Sequence, residues 1–411
     1  MRYREINNCR IGNSDHLISV LDLGHQALTG VFPKSVEEDV TVGPLELVWC
    51  PDSGLLQLKH SYDPDEMYGD NYGYRSGLNQ SMVDHLERKV AYLEKMAALE
   101  SGDLVIDIGS NDATTLKAYQ TKGITRIGID PVGAKFREFY PADVSLIADF
   151  FSADVLAKSA QSKAKIITSI AMFYDLESPI KFAQDIEQSL AADGIWHFEQ
   201  SYMPSMLRTN SYDTICHEHL EYYSLASVQY ILRQANLKIV DVAMNDINGG
   251  SFAVTAAKKA NTSVTANNAV INWLLEQELR MGLDTVKPFR DFEEKVYRHR
   301  KDLQNLVRSL TADGKKVLGY GASTKGNVML QFCGFSAADI PAIAEVNPDK
   351  FGRITPGTHI PIVSEQEAHA MRPDYYLVLP WHFKNGILRR EQQFLQEGGK
   401  FIFPFPEIEI V

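Results

Sequence analysis

Side chains that can move protons or hold a metal ion are concentrated in one stretch, YDTICHEHLEYYSL at residues 212 to 225. His217 and His219 stand two residues apart, and Glu218 lies between them. Histidine exchanges protons near neutral pH and is also a common metal ligand. If the stretch is a strand, both histidines share one face, but two ligands fall short of the three or four that a metal site needs. We therefore favour an acid/base site over a metal site or a pair of ordinary surface histidines.

A glycine turn upstream has the form of a ligand-binding loop. The sequence LVIDIGSNDATTL, residues 104–116, predicts a buried strand, a tight turn and a helix. Gly109 lets the backbone approach a ligand closely, and Ser110 and Asn111 stand where they can cap the helix. The loop has no complete G-x-G-x-x-G pattern and no Walker lysine, so it matches dinucleotide and ATP loops poorly. The acid near the end of the strand, Asp107, suits a cationic amine instead.

Acids near the ends of the next two strands extend this predicted site. The strand RIGID ends at Asp130, a position where an acid typically accepts hydrogen bonds from the two hydroxyls of a ribose. The sequence LIADFF then offers Asp149 for a polar contact and Phe150 as an aromatic face for adenine. The order and spacing of these groups predict the S-adenosylmethionine site of a class I methyltransferase. The plainer alternative is that the acids serve as turn and cap residues in a generic α/β sheet.

A second glycine turn, VLGYGASTKGN at residues 317–327, follows another predicted strand. Its glycines resemble a dinucleotide fingerprint with the wrong spacing. Phosphate oxygens bind well at the N-terminus of a helix, where this loop is predicted to end. We expect this loop to hold the diphosphate of a nucleotide-linked substrate. Two alternatives have much of the same sequence pattern: a plain turn between a strand and a helix, and an NAD site. The candidate residues are Gly321, Ser323, Thr324 and Lys325.

Three regions must position these groups. Residues 1–65 alternate short apolar runs with turn residues, which predicts a small β-rich domain. Residues 66–255 alternate strands and helices, which is typical of a doubly wound parallel sheet. Residues 256–411 repeat this alternation after a long amphipathic helix. The predicted fold class is therefore α/β, with a Rossmann-like methyltransferase domain between the β-rich domain and a second, C-terminal Rossmann-like domain.

Composition narrows the class of protein. The 411 residues carry a formal net charge of −12, which repels phosphate backbones, so we expect no nucleic-acid partner. No run reaches the roughly 18 apolar residues that a membrane span needs, so no membrane partner is expected. The first residues lack the apolar run of a signal peptide, and the four cysteines are widely spaced. We expect a cytoplasmic protein without disulfides, whose oligomeric state the sequence does not indicate.

A set of motifs in a fixed order carries a family resemblance: IGSND, EQSYMPSML, CHEHLEYYSL, NGGSF and GYGAS. Over its whole length the chain resembles the sugar 3-C-methyltransferases of deoxysugar pathways. The resemblance implies a small N-terminal zinc-binding domain, a central domain that binds S-adenosylmethionine, and a C-terminal Rossmann-like domain that helps to hold a nucleotide sugar. The implied reaction is C-methylation of a nucleotide-linked keto-deoxysugar through an enolate.

The resemblance also implies roles for individual residues. His219 is the expected general base, and Glu218 is its neighbour in the active site. Tyr74, in the YGYRSG loop, is expected in the cleft between cofactor and sugar. The oxygen of an enolate needs a hydrogen-bond donor, and His217, Tyr222 or a backbone N–H could supply it.

Some alternatives stay open at this point. The active site departs from the family at Cys216, where members often have tyrosine, and at Asp175, where they have histidine. An O- or N-methyltransferase would use the same cofactor site without a ketone or an enolate. An NAD-dependent oxidoreductase would use the second glycine turn, and a non-catalytic protein could bind a nucleotide sugar there.

The largest departure from the family concerns zinc. The family's ligands come as two C-x-x-C pairs, which form a strong tetrahedral thiolate site. In this chain CRIG keeps Cys9 but ends in Gly12, and CPDS keeps Cys50 but ends in Ser53. Two thiolates give too little affinity to drive folding around a metal, so we expect no structural zinc and a domain held by its apolar strands. The remaining candidates for the lost ligands are His16 and Asp52.

Overall fold

The computed structural model describes residues 2–63, 66–67, 75–160 and 162–411 of the chain. Within these ranges the strands form sheets of four, seven and six strands and one two-stranded ribbon. No helix in the described ranges is both long enough and apolar enough to cross a membrane.

The N-terminal region folds as small antiparallel sheets, as its alternating apolar pattern predicts. Its strands are β1 (Tyr3–Glu5), β2 (Ile18–Ala27), β3 (Val42–Trp49), β4 (Leu56–Leu58) and β5 (His60–Tyr62). β2, β3 and β4 pair in that order, and β1 pairs with β5. The outer partner of β4 is a two-residue strand from far along the chain, directly after the CHEHL sequence. Backbone hydrogen bonds therefore tie the predicted active-site stretch to the N-terminal sheet.

The middle region alternates strands and helices, as predicted. Its elements in chain order are α1 (Gln80–Met96), β6 (Leu104–Ile108), α2 (Thr114–Lys117), β7 (Thr125–Ile129), β8 (Val144–Ile147), α3 (Ala153–Ser159), β9 (Ala164–Ile170), α4 (Pro179–Ser189), β10 (Leu190–Ser201), α5 (Met203–Thr209), β11 (Glu221–Tyr222), α6 (Leu225–Gln234), β12 (Leu237–Asn245), β13 (Ser251–Lys258) and α7 (Asn268–Arg280). All these strands except β11, which pairs with β4, join one sheet.

The strand order of the middle sheet creates a ligand-binding crevice. The order is β12–β13–β10–β9–β6–β7–β8, with β6 to β10 parallel and β13 antiparallel to both neighbours. The chain fills the sheet outward from β6 to β8 and then returns to place β9 beside β6. Such a reversal opens a crevice at the carboxyl ends of the two central strands, where open α/β sheets bind their ligands.

The C-terminal region forms a second sheet of the same kind. Its six strands lie in the order β16–β15–β14–β17–β18–β19, and all are parallel except β19. The predicted fold class, two Rossmann-like domains beside a β-rich domain, is confirmed. The elements are α8 (Lys287–Ala312), β14 (Val317–Tyr320), α9 (Thr324–Phe332), β15 (Ile343–Glu345), β16 (Ile362–Ser364), α10 (Glu365–Ala370), β17 (Tyr375–Val378), α11 (Lys384–Arg390), α12 (Gln392–Gln396), β18 (Lys400–Phe403) and β19 (Glu409–Ile410).

The predicted boundary between residues 255 and 256 falls inside β13. This strand pairs with β10 and β12 up to Lys258, and no turn residue interrupts its apolar run. The helix that follows, α7, contacts α6 and β12 and buries Ile271 and Leu274 in the core of the middle domain. The chain therefore leaves the methyltransferase sheet only after α7.

Helix α9 fastens the N-terminal region to the C-terminal domain. The Gln331 side chain accepts a hydrogen bond from the Ala27 N–H at 2.7 Å and donates one to the Ala27 carbonyl at 3.1 Å. Asn327 donates to the carbonyl of Thr29 at 2.8 Å. These bonds bring the loop after β2 next to the second glycine turn. In the same loop, Gly30 lies against Glu218 of the middle region, so all three regions meet there.

Candidate active site

A cavity of about 270 Å³ lies where the carboxyl ends of the two parallel sheets approach each other. Its wall is formed by the loop after β6, the ends of β9 and β10, the CHEH stretch, the residues before β13 and the first turn of α9. Two glycine turns and an acid/base stretch that are far apart in the sequence therefore share one cavity.

The first glycine turn contributes its backbone to the cavity wall. Gly109 lies in the wall with φ of +71°, and a Cβ there would stand 3.2 Å from the side chain of Met172. Ser110 also lines the wall, and its hydroxyl is 2.7 Å from the hydroxyl of Tyr140. Glycine is needed here because other residues rarely adopt a positive φ.

Asp130 lies behind this turn and supports it. Its two carboxylate oxygens accept hydrogen bonds from the N–H groups of Asn111, at 2.8 Å, and Val132, at 2.9 Å. Burial raises the pKa of Asp130, and the two backbone donors oppose that shift. A carboxylate offers about four acceptor positions, so each oxygen can accept one more bond. This geometry fits the predicted acceptor of ribose hydroxyls.

The other predicted cofactor residues lie outside the wall. Asp107 is buried within β6, where it accepts a bond from the Thr168 hydroxyl at 2.5 Å, and burial raises its pKa to about 7. Asp149 accepts a bond from the Phe150 N–H at 2.7 Å, and the Phe150 side chain is 56% exposed. The exposed ring of Phe150 is free to meet a ligand, but neither Phe150 nor Asp107 lines the cavity.

The CHEH stretch is a turn and not a strand, so its two histidines do not share a face. The His219 N–H donates to the Cys216 carbonyl at 3.1 Å, which closes the turn. His217 is completely buried beside the backbone of Gln26 and edge-on to Tyr62, with the ring centres 4.6 Å apart. It does not line the cavity, which corrects its predicted role as a donor to the substrate.

His219 lines the cavity and is held in one tautomer. Its Nδ1 lies 2.8 Å from the carbonyl oxygen of Thr214, which can only accept, so Nδ1 carries the proton and Nε2 is the basic nitrogen. The ring packs edge-on against Tyr174 at a centre-to-centre distance of 4.4 Å. Burial lowers the pKa of His219 to about 4, so the ring is neutral at physiological pH.

Glu218 and Tyr222 differ in their access to the cavity. Glu218 lines it and lies against Gly30, where an added Cβ would stand 2.6 Å from the carboxylate. Burial raises the pKa of Glu218. Tyr222, in β11, lines only a separate void of about 10 Å³ behind His219. The predicted contact of Tyr222 with the substrate is therefore not supported by its position.

The second glycine turn places two of its four predicted residues in the wall. These are Thr324 and Lys325, the first residues of α9. Gly321 has φ of +80°, and a Cβ there would stand 2.6 Å from Pro380. The Ser323 hydroxyl caps α9 by accepting a bond from the Gly326 N–H at 3.0 Å. Gly321 and Ser323 thus shape the loop without facing the cavity.

Glu199, at the end of β10, lines the cavity and was not identified from the sequence. Its carboxylate lies 2.7 Å from His85 Nε2, 2.8 Å from Lys89 Nζ and 2.7 Å from Asn245 Nδ2. Burial alone would raise its pKa, but His85 and Lys89 outweigh that effect and lower it to about 2. The rule that selected Asp130, an acid at the carboxyl end of a strand, applies equally to Glu199 in the sequence HFEQ and could have identified it.

Tyr74, the remaining predicted site residue, lies outside the described residues.

The two sequences that resemble zinc knuckles do come together. Cys9 Sγ is 3.1 Å from Ser53 Oγ, Cys50 is completely buried beside them, and burial raises the pKa of Cys9 to about 11. No group of three or more potential metal ligands occurs among the described residues. Two thiols and a hydroxyl do not fit a tetrahedral zinc site.

Arg10 links the segment that contains Cys9 to neighbouring strands. Its guanidinium donates to the Leu58 carbonyl at 2.5 Å and to the Ser61 hydroxyl at 2.8 Å, and lies 3.6 Å from the buried carboxylate of Glu221. The alternative ligand Asp52 instead accepts a bond from the Ser14 hydroxyl. Hydrogen bonds therefore join this region to β4 and β5, and an ion pair joins it to β11.

Three family models match the chain in succession: "Putative zinc binding domain" at residues 9–68, "Methyltransferase domain" at 80–242 and "C-methyltransferase C-terminal domain" at 246–406. Among curated proteins, the C-methyltransferase NovU of Streptomyces niveus is 32% identical over 413 residues, which cover 99% of this chain and 97% of NovU. This chain belongs to the same C-methyltransferase family.

The family decides between the alternatives left open by the sequence. This C-methyltransferase uses S-adenosylmethionine to methylate a small molecule, and it is not an NAD-dependent oxidoreductase. Solved structures of methyltransferases resemble part of the chain. A methyltransferase of Haloferax volcanii in complex with the activator Trm112 is 17% identical with a TM-score of 0.36, covering 44% of this chain and 93% of that one. The O-methyltransferase NcsB1 is 18% identical with a TM-score of 0.33, covering 44% and 56%.

We predict that Asp130→Ala weakens binding of S-adenosylhomocysteine by about tenfold or more, because a hydrogen bond to a charged group contributes roughly 1.5–3 kcal/mol. Isothermal titration calorimetry measures the affinity. Asp130→Asn, which keeps one acceptor oxygen, should lose less. Asp143→Ala removes an exposed acid of the same domain and serves as the control. Unchanged affinity in Asp130→Ala would remove this residue from the cofactor site.

We also predict that the purified C-methyltransferase holds no tightly bound zinc and that the double variant Gly12→Cys, Ser53→Cys acquires it. A Cβ at Gly12 meets nothing within 4 Å, and Ser53 already touches Cys9, so two new thiols can complete the set. Elemental analysis by mass spectrometry after dialysis measures the zinc. One zinc per wild-type chain would contradict the prediction and would require ligands other than these.

Proposed function

We propose that this C-methyltransferase methylates a nucleotide-linked keto-deoxysugar at the carbon next to its ketone, and that His219 removes the proton from that carbon. The observation that carries the proposal is the state of His219. A neutral imidazole with a basic Nε2 lines the same cavity as the first glycine turn.

A carbon–methyl bond requires a carbon nucleophile, and a sugar carbon becomes one only after losing a proton. A neighbouring ketone makes that proton acidic because the resulting charge moves onto the ketone oxygen. The base must be unprotonated at working pH and within reach of the carbon. Burial keeps His219 neutral, and the bond to Thr214 keeps its proton on Nδ1 and away from the substrate.

The cofactor side of the cavity is expected to be the turn after β6. S-adenosylmethionine supplies an electrophilic methyl group on a positively charged sulfur when it is bound. Gly109 and Ser110 would meet it with backbone groups and a hydroxyl, and Asp130 would accept the ribose hydroxyls. The carboxylates of Glu199 and Glu218 in the wall favour a positive charge nearby.

The substrate side is expected to be the second glycine turn. Thr324 begins α9, and the N–H groups at the start of a helix favour phosphate oxygens. The capping by Ser323 and the turn at Gly321 hold this helix start towards the cavity. A ligand that reaches both domains fits a sugar at the base and its diphosphate at α9. Tyr74, which lies outside the described residues, stays a predicted contact between cofactor and sugar.

We predict that His219→Asn abolishes removal of the sugar proton while leaving S-adenosylhomocysteine affinity nearly intact. The asparagine amide can replace the Nδ1–H donor to Thr214 but has no basic nitrogen, so only the base is lost. General-base loss lowers rates by about 10²–10⁴-fold. Exchange of the substrate proton with deuterated water, followed by mass spectrometry without methyl donor, measures the step.

The substrates for this experiment are keto sugars linked to thymidine, guanosine or cytidine diphosphate. His217→Asn is the matched control, because His217 is buried away from the cavity and should keep exchange even if the melting temperature falls. Normal exchange in His219→Asn would mean that another group is the base.

The pH dependence of exchange gives a second prediction. Because the pKa of His219 is lowered to about 4, the base stays unprotonated as pH falls from 7 to 5, and exchange should decline only as pH approaches 4. Measured between pH 4 and 8, the acid limb should lie well below the ordinary histidine value of about 6.5. A midpoint at 6.5 would contradict a desolvated base.

A further inference from the structure

Lys325 occupies a position in the cavity that phosphate binding alone does not explain. Its Nζ donates to the carbonyl of Asn248 at 2.8 Å, a residue of the segment before β13 that also lines the cavity. This bond turns the ammonium away from the open start of α9 and towards the middle domain. Lys325 and His219 therefore line the same cavity from opposite domains.

The counter-charge of Lys325 belongs to the segment that carries the base. Asp213 is 1% exposed, and its charge favours the ammonium form of Lys325 against the effect of burial, which lowers that pKa. One oxygen of Asp213 accepts a hydrogen bond from Trp381 Nε1 at 2.8 Å. Thr214, the next residue, holds Nδ1 of His219. A single short segment thus orients the base and carries an acid whose charge favours the cation.

The charged residues in the cavity wall indicate which negatively charged group Lys325 can bind. It is the one lysine or arginine among the described residues that line the cavity, while Asp175, Glu199 and Glu218 are acids in the same wall. A diphosphate carries at least two negative charges and is usually held by several donors and cations. An enolate carries one negative charge, for which one desolvated cation is a sufficient partner.

We propose that Lys325 is a catalytic residue that donates a hydrogen bond from Nζ to the ketone oxygen of the substrate, and that Asp213 and Trp381 are positioning residues for it. The proposal rests on the proposed function and deepens it. The C–H bond breaks, its proton goes to Nε2 of His219, and its electron pair forms the enolate, whose negative charge lies on the oxygen beside Lys325.

Lys325 takes the role of hydrogen-bond donor to the enolate oxygen, for which the sequence suggested His217 or Tyr222. Neither of those side chains lines the cavity, whereas Lys325 does. A donor that is already in place when charge develops needs no reorganisation, and the loss of such a donor typically lowers rates by about 10²–10³-fold. The opposing possibility is that Lys325 binds the diphosphate, in which case its loss would mainly weaken substrate binding.

The test compares Lys325→Met with Lys350→Met. Lys350 is a matched control: it is also a half-buried lysine, it donates to the Ala322 carbonyl of the same glycine turn at 2.7 Å, and it does not line the cavity. The substrate is the nucleotide-linked keto sugar that the wild-type chain exchanges fastest. Proton exchange is measured without methyl donor over a range of substrate concentrations, so that kcat and KM for exchange are obtained separately.

We expect Lys325→Met to lower kcat for exchange by about 10²–10³-fold with KM changed less than threefold, and Lys350→Met to change neither. Lys325→Arg, which keeps the charge, should recover part of kcat. Trp381→Phe removes only the N–H that holds Asp213 and should lower kcat by about tenfold without raising KM, a smaller loss because the cation remains.

A second readout needs no substrate. Lys325 faces His219, Asp213, Cys216 and His382, and its charge disfavours protonation of His219. Nuclear magnetic resonance of labelled histidine should therefore show a higher pKa for His219 in Lys325→Met than in the wild type. An unchanged pKa would mean that the two groups are too far apart to act on one ketone, which overturns the proposal.

The kinetic outcomes are also distinct. A large rise in KM with normal exchange at saturating substrate would overturn the proposal and assign Lys325 to the diphosphate. Normal kcat and KM would overturn it as well. If the wild-type chain methylates its substrate but exchanges no proton from any keto sugar, the proposed function itself fails, and this result is recognised before any variant is made. Circular dichroism confirms that each variant is folded.

Discussion

The hydrogen bond between His219 Nδ1 and the carbonyl of Thr214 is the contact on which the site depends. It fixes the tautomer and the ring orientation, but it works only if the turn that carries both residues is rigid. Rigidity comes from outside the turn. Asp213, before it, is bound by Trp381 of the C-terminal domain, and Glu221–Tyr222, after it, form a strand of the N-terminal sheet. Other domains thus hold both ends of this loop. His219 is therefore positioned as firmly as a residue on a helix or strand would be.

Desolvation shapes the chemistry of the cavity as much as any single contact. Burial lowers the pKa of His219 and raises that of Glu218, so it disfavours the charged form of each side chain. Charge survives only where a partner compensates for lost water, as in Glu199 with His85 and Lys89. In such surroundings a charge that the ligands bring interacts strongly with the few charged groups that remain. Desolvation therefore explains two features of the site: His219 is neutral before the substrate binds, and the charge of Lys325 is favoured by the buried acid Asp213.

Sequence reasoning succeeded where function follows the end of a strand. Gly109, Thr324 and Lys325 line the cavity because the carboxyl ends of parallel strands converge at one edge of a sheet, while Asp130 lies behind the glycine turn and stays a predicted cofactor contact. It failed where direction depends on a turn: His217 was a candidate donor to the substrate, but the turn at residues 216–219 places its side chain outside the cavity. Asp107 lies near the end of β6 as predicted, but its side chain is buried against Thr168 and does not line the cavity. The contact of Trp381 with Asp213 joins distant parts of the chain and leaves no local pattern. The predicted boundary after residue 255 was wrong because β13 is an antiparallel strand that follows β12 directly and still belongs to the middle sheet. The alternation of strands and helices does not indicate such a strand.

The strand Glu221–Tyr222 has a consequence for how the protein is made. Strands β2 to β4 of the N-terminal sheet leave the ribosome before the other two regions, yet the strand that covers the edge of β4 is synthesised only after most of the methyltransferase domain. Until then β4 presents unpaired N–H and C=O groups, which can pair with strands of other chains. The loop after β2 likewise waits for α9, which belongs to the last domain. The earliest of these three regions to be synthesised is therefore among the last to be completed, and a chain that stops before β11 leaves this edge of β4 open to strands of other chains.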